Sequence, residues 1–138
     1  MREKKRHTLK TQVIIERKSK KIIDVRQDKG SVHDFKIYKE TIGSNIAQDI
    51  GVDADLGYLG IDKLHPNSRI PKKPSKHHKL TKREKAYNKR LARKRVIIEH
   101  INAKIKTFKI MACPYRNHCQ RHLLRMSLIC GIINYVFN

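Results

Sequence analysis

The chain has 138 residues, the size of one ordinary domain with a buried core. It is strongly basic, because 33 Lys and Arg residues against 12 Asp and Glu residues give a formal net charge of +21. A charge of this size and sign favours nucleic acid as the partner. Hydrophobic residues make up 38% of the chain and occur in clusters, which excludes a purely disordered basic tail.

The cysteines and the apolar segments indicate the cellular location of the protein. Cys113, Cys119 and Cys130 are odd in number, and no apolar run follows Met1, so we expect reduced thiols and no signal peptide. The most apolar stretch, 123–137, is shorter than the roughly 20 residues that span a bilayer. It predicts a core helix and no membrane partner, and the reduced thiols predict a cytosolic location.

Three elements are predicted in the first 43 residues. β-Branched runs within 8–16 and 20–25 predict a β-hairpin. Ser31 and Asp34, three residues apart, resemble the capping box that starts a helix. Gly43 is expected to end that helix.

A short buried strand is predicted over 50–55. Its alternation places Val52 and Ala54 on one face and Asp53 and Asp55 on the other. Two glycines after Asp55 predict a turn.

The segment 61–80 is rich in proline and basic residues and predicts an extended loop that does not pack. Such a loop could lie along phosphate groups. Its lysines are the candidate phosphate-binding residues Lys72, Lys73, Lys76 and Lys79.

Two helices are predicted to complete the chain. Thr81 and Glu84 form a capping-box pattern, and the helix that follows is expected to continue until Pro114 forbids it. A last helix is predicted from about His118 to Tyr135. We therefore expect one domain over 1–138, made of strands and a first helix (1–60), a basic loop (61–80) and C-terminal helices (81–138).

Two acids stand out as candidate metal ligands. Asp55 precedes a glycine-aromatic segment, and Glu99 lies in a long helix with Arg95 and Lys106 on nearly the same face. Carboxylates are the side chains that hold Mg²⁺ or Mn²⁺, and the basic residues can contact a phosphate. A metal site within a basic surface predicts phosphodiester chemistry.

Structural alternatives exist for each of these residues. Glu99 could simply pair with Arg95 one helical turn away, although this order of charges is the weaker one. Asp55 could be a turn residue, and Asp53 competes with it as the acid on the same strand face. Asp34 is better explained as a helix-start residue than as a catalytic one.

The blocks 5–12, 30–34, 55–60, 95–106 and 115–117 resemble successive segments of DDE-type insertion-sequence transposases, in the Harbinger-like DDE endonuclease group. The resemblance implies an RNase H-like α/β fold in which three acids bind two divalent metal ions, Mg²⁺ or Mn²⁺, for attack on DNA. It implies that Asp55 is the second acid and Glu99 the third, with Arg95 and Lys106 as the basic part of the signature around the glutamate. The tyrosine of that signature falls at Ala92, which is a departure.

A larger departure concerns the first acid. Only three residues precede Lys4, where the first matching segment begins to be recognisable, and Glu3 is their sole acid, so the family's first aspartate and its central strand are expected to be absent. The resemblance then predicts a C-terminal transposase fragment, inactive alone, in the bacterial cytosol and associated with the nucleoid.

Its expected partners are transposon ends, target DNA and either an N-terminal transposase fragment or a second copy. An upstream reading frame could supply the missing strand, either in cis by frameshifting or in trans as a separate polypeptide. The alternative is a non-catalytic basic DNA-binding protein derived from a transposase. A structural RNA-binding protein is a third alternative, which the acid-bearing motifs oppose.

Overall fold

The computed structural model describes residues 8–42, 45–112 and 121–137. Helices and strands are mixed, so the α/β prediction is confirmed at that level, while the RNase H-like arrangement stays a prediction. The chain divides into two compact units: the first comprises 1–32 and 97–138, and the second comprises 33–96.

The predicted hairpin is present in the first unit. Strand β1 (Leu9–Ile15) pairs antiparallel with β2 (Ile22–Lys29), and Val13 lies opposite Val25. The second strand therefore continues beyond the predicted end at Val25. Among the described residues this sheet has two strands, so the outer edge of β1 pairs with no described strand.

Helix α4 (His122–Val136) supplies the core of the first unit by packing against β2. Ile133 is fully buried, and the Asn134 side chain bonds both the N–H and the carbonyl of Ile22, at 2.8 and 2.9 Å. Within the described ranges, no helix is both long and apolar enough to cross a membrane. The buried cluster consists of Ile22, Val25, Ile101, Ile105, Met126, Ile129, Cys130 and Ile133.

Helix α1 (Asp34–Glu40) opens the second unit and confirms the predicted helix. The predicted cap is wrong, because His33 occupies the N-cap position and its side chain makes no capping hydrogen bond. The helix ends at Glu40, with Thr41 at the C-cap. Gly43, the predicted end of the helix, lies outside the described residues.

The predicted buried strand over 50–55 is wrong in length and burial. Strand β3 (Val52–Asp53) is half-buried and pairs parallel with β4 (Ser68–Arg69). It ends early because the Asp55 carboxylate accepts the N–H of Leu56 and starts a 3₁₀ turn instead of continuing the ladder.

The prediction of an unpacked loop over 61–80 is wrong for its first half. Residues Ile61–Lys63 form a 3₁₀ turn, β4 lies in this segment, and His65 is fully buried with Nε2 bonded to the Ile50 carbonyl. From 70 to 80 the chain is largely irregular and mostly exposed, as predicted. The side-chain amide of Asn88 nevertheless bonds both backbone groups of Lys72, at 2.8 and 2.9 Å.

The capping box at the start of helix α2 (Lys82–Lys106) is confirmed. Glu84 N–H donates to the Thr81 hydroxyl at 3.2 Å, and Thr81 N–H donates to the Glu84 carboxylate at 2.8 Å. The expectation of one helix reaching Pro114 is wrong, because α2 ends at Lys106.

A short helix α3 (Lys109–Ala112) follows α2 after a break. The Thr107 hydroxyl and N–H both bond the Lys104 carbonyl, which tightens the last turn. Pro114 and His118 lie outside the described residues, and the last helix begins at His122.

Candidate active site and nucleic-acid surface

Asp55 lies at the start of an exposed one-turn 3₁₀ helix, Leu56–Tyr58, in the second unit. Its Oδ1 accepts the Leu56 N–H at 2.6 Å, and its carbonyl accepts the Tyr58 N–H at 3.0 Å. The turn ends before Gly60, whose positive φ of 92° is a conformation that favours glycine. The Asp55 side chain is 52% exposed, so a ligand in solution can reach it.

Arg95 is the ion-pair partner of Asp55. Its Nη2 donates to Asp55 Oδ2 at 2.7 Å, and the arginine side chain is 30% exposed. Both carboxylate oxygens of Asp55 are therefore engaged, one by the backbone and one by a guanidinium group. The alternative in which Glu99 pairs with Arg95 is not observed among the described residues.

Asp53, the competing acid, is held differently. It forms an ion pair with Arg69 at 2.6 Å, and its side chain is 17% exposed. The two residues also face each other in the register of β3 and β4. The Asp53–Arg69 pair joins two strands, whereas the Asp55 side chain is more exposed to solvent.

Asp34 lies against the Asp55 turn, whose last residue is Tyr58, and the sequence alone does not indicate this proximity. A Cβ on Gly57 would overlap the Asp34 carboxylate, so any other residue there would displace the Asp34 side chain. Burial raises the pKa of Tyr58 to about 12, with smaller contributions from the charges of Asp34 and Asp55. The Tyr58 ring also packs edge-on against the buried Tyr38 ring, at 6.1 Å between centroids. Asp34 is 21 positions before Asp55, and no local pattern signals their proximity.

Glu99 and Lys106 are exposed residues of helix α2. With Arg95 they occupy one helix at spacings of four and seven residues, which repeat along one helical face. The second unit ends at Val96 and therefore contains Arg95, while Glu99 and Lys106 belong to the first. The predicted convergence of Asp55 and Glu99 on one cation stays a prediction.

The described residues do not by themselves form a complete metal site. No group of three or more His, Cys, Asp or Glu side chains within 8–42, 45–112 and 121–137 is arranged to hold an ion. The Arg95 guanidinium, bonded to Oδ2, also competes with a cation for the Asp55 carboxylate. The acids present fit part of a carboxylate site for Mg²⁺ or Mn²⁺ and not the whole of it.

The strongest positive charge lies around the loop 71–80 and the first half of α2. Between positions 72 and 95 the sequence has 12 Lys or Arg residues and one acid, Glu84. Most of these basic side chains are exposed, including the candidate phosphate-binding residues Lys72, Lys73, Lys76 and Lys79. This basic surface belongs to the same unit as Asp55 and Arg95.

A shallow cleft of about 420 Å³ lies beside the Asp55 turn. Its apolar lining includes Phe35, Leu56 and Leu59, and Lys36 and Lys39 stand at its side. Lys39 Nζ lies 4.9 Å from the centre of the Phe35 ring. Apolar surface beside lysines suits a nucleotide, which has an apolar base face and an anionic phosphate.

The arrangement sets an acid and an arginine side by side in the unit that carries the basic surface. Consistent with this class of site, the family model described as DDE superfamily endonuclease matches residues 1–134. The chain belongs to this family.

A curated relative from Microchaete diplosiphon, described as "Probable transposase for insertion sequence element IS702", is 45% identical to the chain over 129 residues. The match covers 94% of this chain and 46% of the relative, so the chain spans about half the length of that protein. No solved structure matches.

Proposed function

We propose that this chain is the part of an insertion-sequence transposase that supplies two catalytic acids, Asp55 and Glu99, and a DNA-binding surface. The reaction is metal-dependent DNA strand cleavage and transfer. The observation that carries the proposal is the 2.7 Å contact between Asp55 and Arg95 at an exposed turn. It places a potential metal ligand against a guanidinium group of the kind that binds phosphate in bidentate fashion.

The contact suggests how DNA engages the site. A DNA phosphate competes with Asp55 for Arg95, and the exposed lysines 72, 73, 76 and 79 raise the local concentration of the polyanion. When Arg95 moves to the phosphate, Oδ2 of Asp55 is released. Lys106, on the same helix, adds a second phosphate contact.

A divalent cation held by Asp55 and Glu99 would neutralise charge on the attacked phosphodiester. These two acids are fewer than the three that the family resemblance implies. We therefore propose that the chain alone binds DNA without cleaving it, and that another polypeptide segment supplies the third acid.

An RNase H-like arrangement is part of the proposal. Within the described residues, the antiparallel pair β1–β2 and the parallel pair β3–β4 are separate two-stranded sheets, and each leaves open edges. Open edges suit the addition of a central strand, which would satisfy their backbone groups. An N-terminal segment bearing an aspartate on such a strand would complete both the sheet and the acid set.

A cleavage assay tests this proposal. The purified chain is incubated with transposon-end DNA and Mg²⁺ or Mn²⁺, with and without an N-terminal segment taken from the related transposase. We expect nicking only in the presence of that segment, and we expect Asp55→Asn and Glu99→Gln to abolish it. Specific nicking by the chain alone would contradict the predicted inactivity, and nicking that survives in both variants would contradict the acid roles.

A second candidate is a non-catalytic basic DNA-binding protein derived from a transposase. It is favoured by the engagement of both Asp55 oxygens, because the Leu56 N–H and the Arg95 guanidinium compete with a cation for that carboxylate. Calorimetry separates the two candidates. Mn²⁺ uptake that is lost in Asp55→Ala favours the transposase role, whereas salt-sensitive DNA binding without metal dependence favours the second. In either role we propose DNA as the partner, with the chain acting at the bacterial nucleoid.

A further inference from the structure

The basic loop 72–79 contacts helix α2 at two points. At the first, the Asn88 side-chain amide accepts the N–H of Lys72 at 2.8 Å and donates to its carbonyl at 2.9 Å. At the second, His78 Nε2 lies 3.2 Å from the Glu84 carboxylate. Glu84 and Asn88 are one helical turn apart, so both contacts lie on one face of α2, about 6 Å apart along its axis. The loop therefore runs alongside the first turns of the helix.

The backbone of this loop is constrained between the two contacts. Pro71 and Pro74 fix the φ angle at two positions. Ser75 and His78 exchange two backbone hydrogen bonds, at 3.0 and 3.3 Å, which close a tight turn around Lys76. All residues from 72 to 79 are nevertheless exposed. The loop thus displays its side chains to solvent from a held backbone.

The contact at Asn88 joins two segments of like charge. Exposed lysines occupy positions 72, 73, 76 and 79 of the loop. Lys85 and Lys89 are also exposed and lie about 100° around the helix from Glu84 and Asn88. Holding these charges close together costs electrostatic free energy, which a bound polyanion recovers.

An uncharged side chain is suited to this contact. The Asn88 amide bonds the backbone of Lys72 and leaves the lysine ammonium group out of the contact. Glu84, the one acid between positions 72 and 95, is already bonded to Thr81 and His78. The loop is therefore held against α2 at Lys72 without an acid that would neutralise its lysines.

We propose that Asn88 is a positioning residue for DNA binding. By holding Lys72 against α2, it fixes the loop lysines beside those of the helix, so that both elements contact one DNA backbone together. A loop that is ordered only on binding loses conformational entropy at that moment, which lowers the affinity. The Asn88 contact orders the loop when the chain folds. This role rests on the proposed function for DNA as the partner.

Hydrogen exchange and DNA binding by the full chain, with a short fluorescent duplex, test this role. The Lys72 amide should be protected in the free chain, and Asn88→Ala should remove the protection. The same variant should bind the duplex severalfold more weakly at low salt, although its net charge is unchanged. A weaker helix cannot explain that loss, because alanine favours a helix more than asparagine does. Asn102→Ala, at an exposed asparagine of α2, is the matched control and should change neither result.

A double-mutant cycle separates positioning from a general effect on folding. Lys73→Ala should make the slope of log K against log salt concentration shallower by about 0.9, the contribution of one phosphate contact. In the Asn88→Ala background, Lys73→Ala should weaken binding clearly less, because the released loop has already lost part of that contact. Lys63→Ala, at an exposed lysine of the same unit outside the loop, should have the same effect in both backgrounds.

Additive effects of Asn88→Ala and Lys73→Ala would overturn the proposal, because a role in folding alone predicts additivity. An unprotected Lys72 amide in the wild-type chain would also overturn it. A wild-type chain that does not bind the duplex would contradict DNA as the partner and therefore the proposed function as well. Normal binding with additive effects would contradict the positioning role alone.

Discussion

Each of the two units of this chain is stabilised by a different kind of contact. The first buries a continuous aliphatic cluster between the hairpin and helices α2 and α4. The second buries fewer aliphatic side chains and relies on polar contacts, among them the Asp55–Arg95 and Asp53–Arg69 ion pairs and the Thr81–Glu84 capping box. Aliphatic burial depends little on salt or pH, whereas exposed ion pairs depend on both. The unit that carries the basic surface and Asp55 is therefore the one whose contacts a polyanion can rearrange.

The aliphatic unit should be the more sensitive one to truncation of its core. Ile133 is fully buried, so Ile133→Ala should lower the free energy of unfolding by about 2–5 kcal/mol. Urea denaturation measures the loss. Ile23→Ala, the same change at an exposed position of β2, is the control and should cost less than about 1 kcal/mol. Equal losses would show that the cluster does not dominate this unit.

In the second unit, His65 is the buried polar residue to remove. His65→Ala leaves a cavity and deprives the Ile50 carbonyl of its side-chain partner, which should cost about 1–3 kcal/mol. Hydrogen exchange should show lost protection at the β3 amide of Val52 and retained protection in the hairpin. His77→Ala, at an exposed histidine of the same unit, should change neither. Uniform loss of protection across the chain would mean that the two units unfold together.

A smaller effect is expected at the start of α2. Thr81→Ala removes the hydroxyl that accepts the Glu84 N–H and should cost about 1 kcal/mol, measured by thermal unfolding. Ser75→Ala, at an exposed residue of the preceding loop, should be close to neutral. A neutral Thr81→Ala would show that the capping box does not contribute to stability.

The same capping box predicts a pH dependence. Hydrogen bonds from the Thr81 N–H and hydroxyl, and a weaker one from His78, hold the pKa of Glu84 below its ordinary value. A carboxyl group with a lowered folded-state pKa stabilises the fold above its unfolded-state pKa, and this contribution disappears as the pH falls through the folded-state pKa. Circular dichroism should therefore show helix loss in that acidic range, and Glu84→Gln should make the helix less sensitive to it. An unchanged pH profile in Glu84→Gln would contradict this account.

Local sequence patterns predicted the elements whose causes are local. The β-branched runs give the hairpin, and Thr81 with Glu84 gives the capping box, because the contacts involved lie within a few residues or across one turn. The same reasoning failed for 50–55, where the Asp55 carboxylate accepts the Leu56 N–H and ends the strand. It also failed at His65, because its burial depends on a carbonyl 15 residues away.

The sequence indicates candidate site residues and gives no sign of the contacts between them. Asp55 and Arg95 were singled out separately, one as a metal ligand and one as a phosphate-binding residue. Their ion pair joins positions 40 residues apart and could not be deduced from either pattern. The packing of Asp34 on Gly57 is equally non-local, and it brings an acid at a helix start against the Asp55 turn.

The sharing of Arg95 between Asp55 and a DNA phosphate is the central claim, and the salt dependence of DNA binding tests it most directly. Asp55→Asn should tighten binding at low salt and steepen the slope of log K against log salt concentration by about 0.9, the contribution of one additional phosphate contact. Asp62→Asn, which changes the net charge equally at another exposed position of the same unit, should leave the slope unchanged, and Arg95→Ala should abolish the effect of Asp55→Asn. Identical slopes for the wild-type chain and Asp55→Asn would contradict the claim.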